Sequence, residues 1–155
     1  MRHPVPQTLY VDTPGRGFTD ITARIQQAVR EASDARAGAA KTGISETNGF
    51  HGVAHVFIQH TSASLTIQEN ADPDVLSDLE DALDRLAPEG FPYRHSAEGP
   101  DDMPAHIKAA LTATSLAIPV SENALMLGTW QGVYVVEHRR APQRRRIIVT
   151  LNAEF

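Results

Sequence analysis

Three of the seven histidines in this chain stand in polar, well-punctuated segments rather than inside apolar runs. His60 opens HTSASLTIQENADP, and His95 and His106 lie 11 residues apart in YRHSAEGPDDMPAHIK. A neutral imidazole can ligate a metal, move a proton near neutral pH or donate a hydrogen bond to an anion. Gly99, Pro100 and Pro104 lie between the second and third and can fold the chain back, bringing their rings together. Three imidazoles with an open water position form a common catalytic zinc arrangement, with bonds of about 2.0 to 2.1 Å. The metal reading therefore takes His60, His95 and His106 as ligands of a divalent ion, zinc or magnesium. The same rings suit proton transfer and phosphate binding equally well. The plainer alternative is that each is only hydrogen-bonded in place. His60 beside Thr61 and Ser62 resembles a base with a nucleophile, but neighbours on a strand point to opposite faces, which argues against a Ser–His triad.

Glu137 shares a strand face with Val133 and Val135. A carboxylate among buried β-branched residues is costly unless paired, so it requires a partner. That partner is either a structural arginine or something functional, a substrate cation or a metal-bound histidine. Arg139, Arg140, Arg144, Arg145 and Arg146 concentrate positive charge near the C-terminal end of an otherwise acidic chain. Guanidinium groups grip phosphate through two parallel hydrogen bonds, and strand alternation lets only one or two of them reach an interior site. Asp74, Asp78 and Asp81 form an acidic stripe that reads as a solvated helix face. Asp101 and Asp102 could hold one ion. Trp130, the single tryptophan, reads as a packing anchor, and Gln131 beside it as a donor to a ring or a phosphate.

These residues have to be positioned by one compact unit. The 155 residues, 41% hydrophobic and 21% charged, suit a single domain with one core. With no cysteine, any metal is left to imidazole and oxygen ligands. A net charge of −5 opposes nonspecific nucleic-acid binding, and no apolar run reaches the ~18 to 20 residues of a membrane span. The opening MRHPVPQTLYV lacks the layout of a secretory signal, so the expectation is a cytoplasmic protein. The pattern predicts a strand at Gln7–Val11 and a helix started by Thr19 or Asp20, with Ile21, Ile25, Ala28, Val29 and Ala32 inward. A surface loop is expected over 36–52, then a strand at Val53–His60 and a short one at Leu65–Ile67. Asp72-Pro73 opens a second helix with Val75, Leu79, Leu83 and Leu86 as its buried stripe. A third, from Met103-Pro104, turns Ile107, Ala110 and Leu111 inward, with His106 at the stripe's edge. Four further strands end the chain, the last two joined as a hairpin through Ala141-Pro142-Gln143. This is an α+β pattern, a single domain over 1–155 with a mixed or antiparallel sheet and helices packed on one side.

Taken together, HTSASLTIQENADPDVLSDLE, YRHSAEGPDDMPAHIKAAL, SLAIPV, LGTWQGVYVVEHR and RRRIIVTL resemble the YjbQ-like family, the secondary thiamine-phosphate synthase enzyme family. Gln68, Ala113 and the APQRRR turn depart from its usual pattern. The resemblance implies a sheet curved into a half-barrel and assembly as a homotrimer. It also implies a polar cluster built from His60, Glu69, Asn70, His95, His106, Gln131 and Glu137, with one arginine of RRRII, Arg145 or else Arg144. Within that cluster His60, His95, His106 and Glu137 would be catalytic, and Glu69, Asn70, Gln131 and Arg145 would bind substrate. The implied reaction joins a hydroxymethylpyrimidine diphosphate to a thiazole phosphate, so the expected partner is a small phosphorylated molecule and no organic cofactor is needed. The alternative is a noncatalytic trimer that binds a metal or an anionic metabolite.

Overall fold

Alternation of apolar and polar residues builds most of this molecule. The computed structural model describes residues 6–39 and 49–153. Among these residues eight strands and three helices follow in the order β1 (Gln7–Thr13), β2 (Gly17–Asp20), α1 (Thr22–Ala39), β3 (Gly52–Ile58), β4 (Ala63–Glu69), α2 (Pro73–Leu86), α3 (Asp102–Leu111), β5 (Ser115–Ser121), β6 (Ala124–Leu125), β7 (Gln131–Glu137) and β8 (Gln143–Ala153). They form one α+β domain with two sheets, β1-β8-β3-β5-β6 curled into a half-barrel and β2-β7-β4 beside it. Every pairing is antiparallel. Of the mixed and antiparallel alternatives, the second is the one realised.

The core is the inner face of both sheets closed over α1. Ile21, Ile25, Ala28, Val29 and Ala32 of that helix segment are buried, as their spacing predicts. They meet Val56, Ile58, Ile118, Ile147 and Val149 from the half-barrel and Leu65, Val133 and Val135 from the smaller sheet. Asp20 starts the helix, its carboxylate accepting the Thr22 backbone N–H at 2.8 Å. The helix runs to Ala39, so the expected loop begins later than residue 36; residues 40–48 of it lie outside the described residues. Glu122 and Asn123 form a two-residue hairpin turn between β5 and β6, both with positive φ.

Four expectations are corrected. The strand β2 is absent from the sequence reading, because its GFTD is too short to show alternation. The helix α2 has no buried residue: Val75, Leu79 and Leu83 are half-buried and Leu86 is 67% exposed. The buried face of α3 is Asp102, Pro104, Ala105 and Lys108, whereas Ala110 and Leu111 are exposed. Polar anchoring turns that helix, since Asp102 binds Arg139 at 2.5 Å and Lys108 binds Asp84. Finally, β7 and β8 make no hairpin. They belong to different sheets, and the chain between them is a crossover.

Two other crossovers gather with it. Residues 14–16, 59–62 and 138–142 all pass from the half-barrel to the smaller sheet or back, at the same end of the molecule. Pairing shows this: Gly17 and Ala63 both stand opposite Glu137, and Thr13 stands opposite Gln143. The crossovers pack so closely that a Cβ on Gly15, whose φ is +123°, would stand 2.4 Å from the Arg140 carbonyl oxygen. This end carries the polar residues.

Candidate functional site

Strand β3 stops at Ile58, and the His60 ring continues its ladder. The Arg146 carbonyl accepts from the Gln59 N–H at 3.1 Å, and the Arg146 N–H donates to His60 Nε2 at 2.8 Å. A peptide N–H only donates, so Nε2 is unprotonated and the proton of the neutral ring sits on Nδ1. Burial, and then the Arg145 charge, push the His60 pKa below its ordinary value of 6.5, so the ring is neutral at pH 7. Its Nδ1 lies 3.4 Å from Arg145 Nη1. Two donors therefore face one another across a gap that an acceptor would bridge.

Glu137 aims the arginine. Arg145 Nε donates to Oε2 at 2.7 Å and Nη2 to Oε1 at 2.6 Å, a two-pronged pair in which Arg145 is 5% and Glu137 1% exposed. Thr13 Oγ1 donates to Oε2 at 2.8 Å and the Arg139 N–H to Oε1 at 3.0 Å. Burial alone would raise the Glu137 pKa, but the bonds from Arg145, Arg139 and Thr13 outweigh it and hold the carboxyl below its ordinary range. Four donors occupy its two oxygens. Of the partners considered for Glu137, the structure gives it the arginine. Arg144 and Arg146 are exposed, as strand alternation requires, while Arg145 also reaches Ser62 Oγ at 3.1 Å. A depression lined by Phe57, Ile58, Gln59, His60, Thr61, Ser62 and Thr114 opens here.

The other two histidines form a second group. The segment from Tyr93 leads into α3, and Asp102 in its first turn receives both rings on one oxygen. His95 Nε2 lies 2.6 Å and His106 Nε2 3.2 Å from Asp102 Oδ2. His106 Nδ1 is 3.0 Å from the Thr61 carbonyl, and the two rings stand edge to face, 5.6 Å apart. Glu98 Oε2 is 3.7 Å from His95 Nε2. One ligand atom from each of His95, Glu98, Asp102 and His106 lies within 4.8 Å of the others, a set that could hold a metal ion. Of the three histidines expected as ligands, this set brings together His95 and His106 with two carboxylates, and His60 is not in it. Burial opposes ionisation of Asp102, but hydrogen bonding to His95 and the Arg139 charge keep its pKa below the ordinary value.

Arg139 ties the two groups together. It donates to Asp101 Oδ2 at 3.0 Å and to the Glu98 carbonyl at 3.0 Å, besides its bonds to Asp102 and Glu137. Glu98 is not among the residues that the sequence singles out, and Ser62 and Arg139 stand out there only as a neighbour of His60 and a member of the arginine run. Only the Asp102–His106 spacing of four on a helix was available to signal one of the contacts.

Glu69, Asn70 and Gln131 lie elsewhere. Glu69 stands opposite Gln131 at one end of the β4–β7 ladder, and Ala63 opposite Glu137 at the other. Six residues of strand separate the ends by roughly 20 Å. Ile67, Gln68, Glu69, Trp130 and Gln131 line their own depression, and Trp130, expected to anchor packing, is 64% exposed. Within one chain the predicted polar cluster is thus divided between two places.

Comparison with known proteins agrees with this architecture. Residues 7–154 match the family model described as UPF0047 protein YjbQ-like. The UPF0047 protein sll1880 of Synechocystis is 46% identical over 149 residues, covering 96% of this chain and 91% of that protein. The UPF0047 protein YjbQ of Escherichia coli O157:H7 is 48% identical over 103 residues, covering 66% and 75%. Among solved structures, the conserved hypothetical protein TT1486 of Thermus thermophilus superposes with a TM-score of 0.76 at 33% identity, covering 94% of this chain and 99% of that one. On the match across nearly its whole described length, the chain belongs to the YjbQ-like UPF0047 family, a family of uncharacterised function.

Proposed function

We propose that the crevice at the crossover end binds a small phosphorylated substrate and serves a transferase of the thiamine-phosphate-synthase type. The observation that carries this is the Arg145 guanidinium, aimed by Glu137 so that Nη1 faces the Nδ1 of a neutral His60 at 3.4 Å. One phosphate oxygen between the two donors would satisfy both, and Ser62 completes a donor-rich wall. In the reaction, the C–O bond to the diphosphate of a pyrimidine breaks, pyrophosphate leaves, and the thiazole nitrogen forms a C–N bond to the same carbon. The groups needed are those that neutralise the departing phosphates in a dry, fixed setting. Arg145 and His60 fit that task. Glu137, with its oxygens occupied, acts as a positioning residue through Arg145.

The same reading makes the chain a cytoplasmic homotrimer. Glu69, Asn70 and Gln131 lie too far along β4 and β7 to meet His60 within one copy, so joint action requires a neighbouring copy. Exposed Leu86, Phe91, Leu111, Met126 and Trp130 supply apolar surface for such contacts. Among the described residues no helix is long and apolar enough to cross a membrane.

Calorimetry with a phosphate ester tests the core of this. Arg145→Lys keeps the charge but loses the fork, and binding is expected to weaken by about 1 to 3 kcal/mol in a variant verified as folded by circular dichroism. Equal affinities would remove Arg145 from the site. Turnover of the two phosphorylated substrates that disappears in His60→Ala separates the transferase from a noncatalytic binder.

A further inference from the structure

We infer that His95, Glu98, Asp102 and His106 form a site for one divalent transition metal of the zinc class, with His60 outside it. This is independent of the phosphate reading, and the argument begins with hydrogen-bond polarity. The Thr61 carbonyl can only accept, so His106 Nδ1, 3.0 Å away, carries a proton. In the neutral ring Nε2 is then a bare lone pair, and it points at Asp102 Oδ2 from 3.2 Å. Two acceptors at that distance need a positive centre between them, either a second proton on the ring or a metal ion.

The surroundings favour the ion. A metal-binding histidine characteristically donates its other ring N–H to a carbonyl or carboxylate, which fixes the ring's orientation, and Thr61 does this for His106. Asp102 is 2% exposed, and its Oδ1 is held by Arg139 Nη1 at 2.5 Å, leaving Oδ2 as the oxygen offered to both rings. A carboxylate with one oxygen anchored and the other shared by two imidazoles is pre-oriented as a ligand. His95 presents Nε2 to the same oxygen at 2.6 Å, so an ion entering here displaces a proton between them. Four donors within 4.8 Å of one another need only small rotations to reach bonds of about 2 Å.

The donor chemistry also selects among ions. Two imidazole nitrogens with carboxylate oxygens suit zinc and its neighbours, whereas magnesium favours an all-oxygen octahedron with several waters. Asp102 is the buried anchor at 2% side-chain exposure, the two rings are partly exposed, and Glu98 at 65% reaches in from solvent. Thr61 holds His106 while the adjacent Ser62 meets Arg145, which places the ion beside the anion-binding wall.

The test is calorimetry with zinc chloride alone on the full chain, produced without a histidine tag and stripped with a chelator. Wild type is expected to take up one zinc per chain and to release protons, seen as a buffer-dependent heat. His106→Ala should weaken binding by about tenfold to a hundredfold or more. His95→Ala, changed on an irregular segment where the side chain is 43% exposed, provides the variant expected to fold unaltered and should show the same loss. His60→Ala should bind zinc as wild type does. Absence of zinc binding in wild type, or a loss in His60→Ala equal to that in His95→Ala, overturns the assignment, as does binding unaffected by either cluster variant. A parallel titration of the metal-free chain with inorganic phosphate tells the two readings apart. Phosphate binding without zinc binding sinks only the metal site, and zinc binding without phosphate binding sinks only the anion wall.

Discussion

Glu137 is where a sequence-level anomaly became a structural device. A buried carboxylate with four donors and a buried arginine form a pair whose removal leaves a charge stranded. Breaking such a pair from one side costs about 3 to 5 kcal/mol, so Glu137→Gln should lower the urea midpoint by that equivalent and loosen phosphate binding with it. A variant as stable as wild type would show that Arg145 finds another partner. His138 supplies a second residue-scale prediction. It is 2% exposed, hydrogen-bonds Ser64 Oγ at 2.8 Å, and has its pKa lowered to about 4, by burial first and by the Lys108 charge second. In the unfolded chain the ring binds a proton near 6.5, so between about pH 6.5 and 4 the unfolded state holds more protons. Stability is therefore fully present above pH 6.5 and is lost as pH falls, by an amount on the order of 3 kcal/mol at pH 4. His138→Asn should flatten this slope in denaturant titrations across that range; an unchanged slope would assign the acid sensitivity elsewhere.

At the scale of elements, the crossovers between sheets decide the geometry. Three chain passages meet at one end, and Gly15 permits the contact by lacking a side chain against the Arg140 carbonyl. Gly15→Ala combines a positive φ with a backbone clash, and a loss of about 2 kcal/mol or more is expected by thermal unfolding. An unchanged melting temperature would mean that the passages separate easily. The helix α3 illustrates a different competition. Its apolar residues predict one inward face, yet Asp102 and Lys108 point inward to Arg139 and Asp84, and the ion pairs set the rotation. That rotation delivers Asp102 to both His95 and His106.

For the whole molecule the proposed homotrimer is the decisive expectation. Apolar side chains left exposed on α2, α3 and around Trp130 are the surface an assembly would cover. Light scattering over a dilution series should give about three times the 16.9 kDa chain mass. A monomer at every concentration would leave Glu69, Asn70 and Gln131 without a route to His60, and their shared role would fall.

The sequence by itself determined the inward stripe of α1, the β3 and β7 strands, the start of α2 at Asp72-Pro73 and the alternation that lets only one or two of the C-terminal arginines face inward. These follow from period, capping and alternation, which are local properties of the chain. It also marked His95 and His106 as neighbours, because only ten residues rich in turn formers separate them. Tertiary structure decided the rest. Whether β7 and β8 pair or part, whether α2 buries its stripe, and which carboxylates stand beside which rings depend on contacts between residues distant in the chain. His60 shows why most clearly. Its place in sequence suggests a third ligand beside His95 and His106, but its Nε2 accepts from the Arg146 peptide N–H, 86 residues away, a bond that no local pattern of the chain could show.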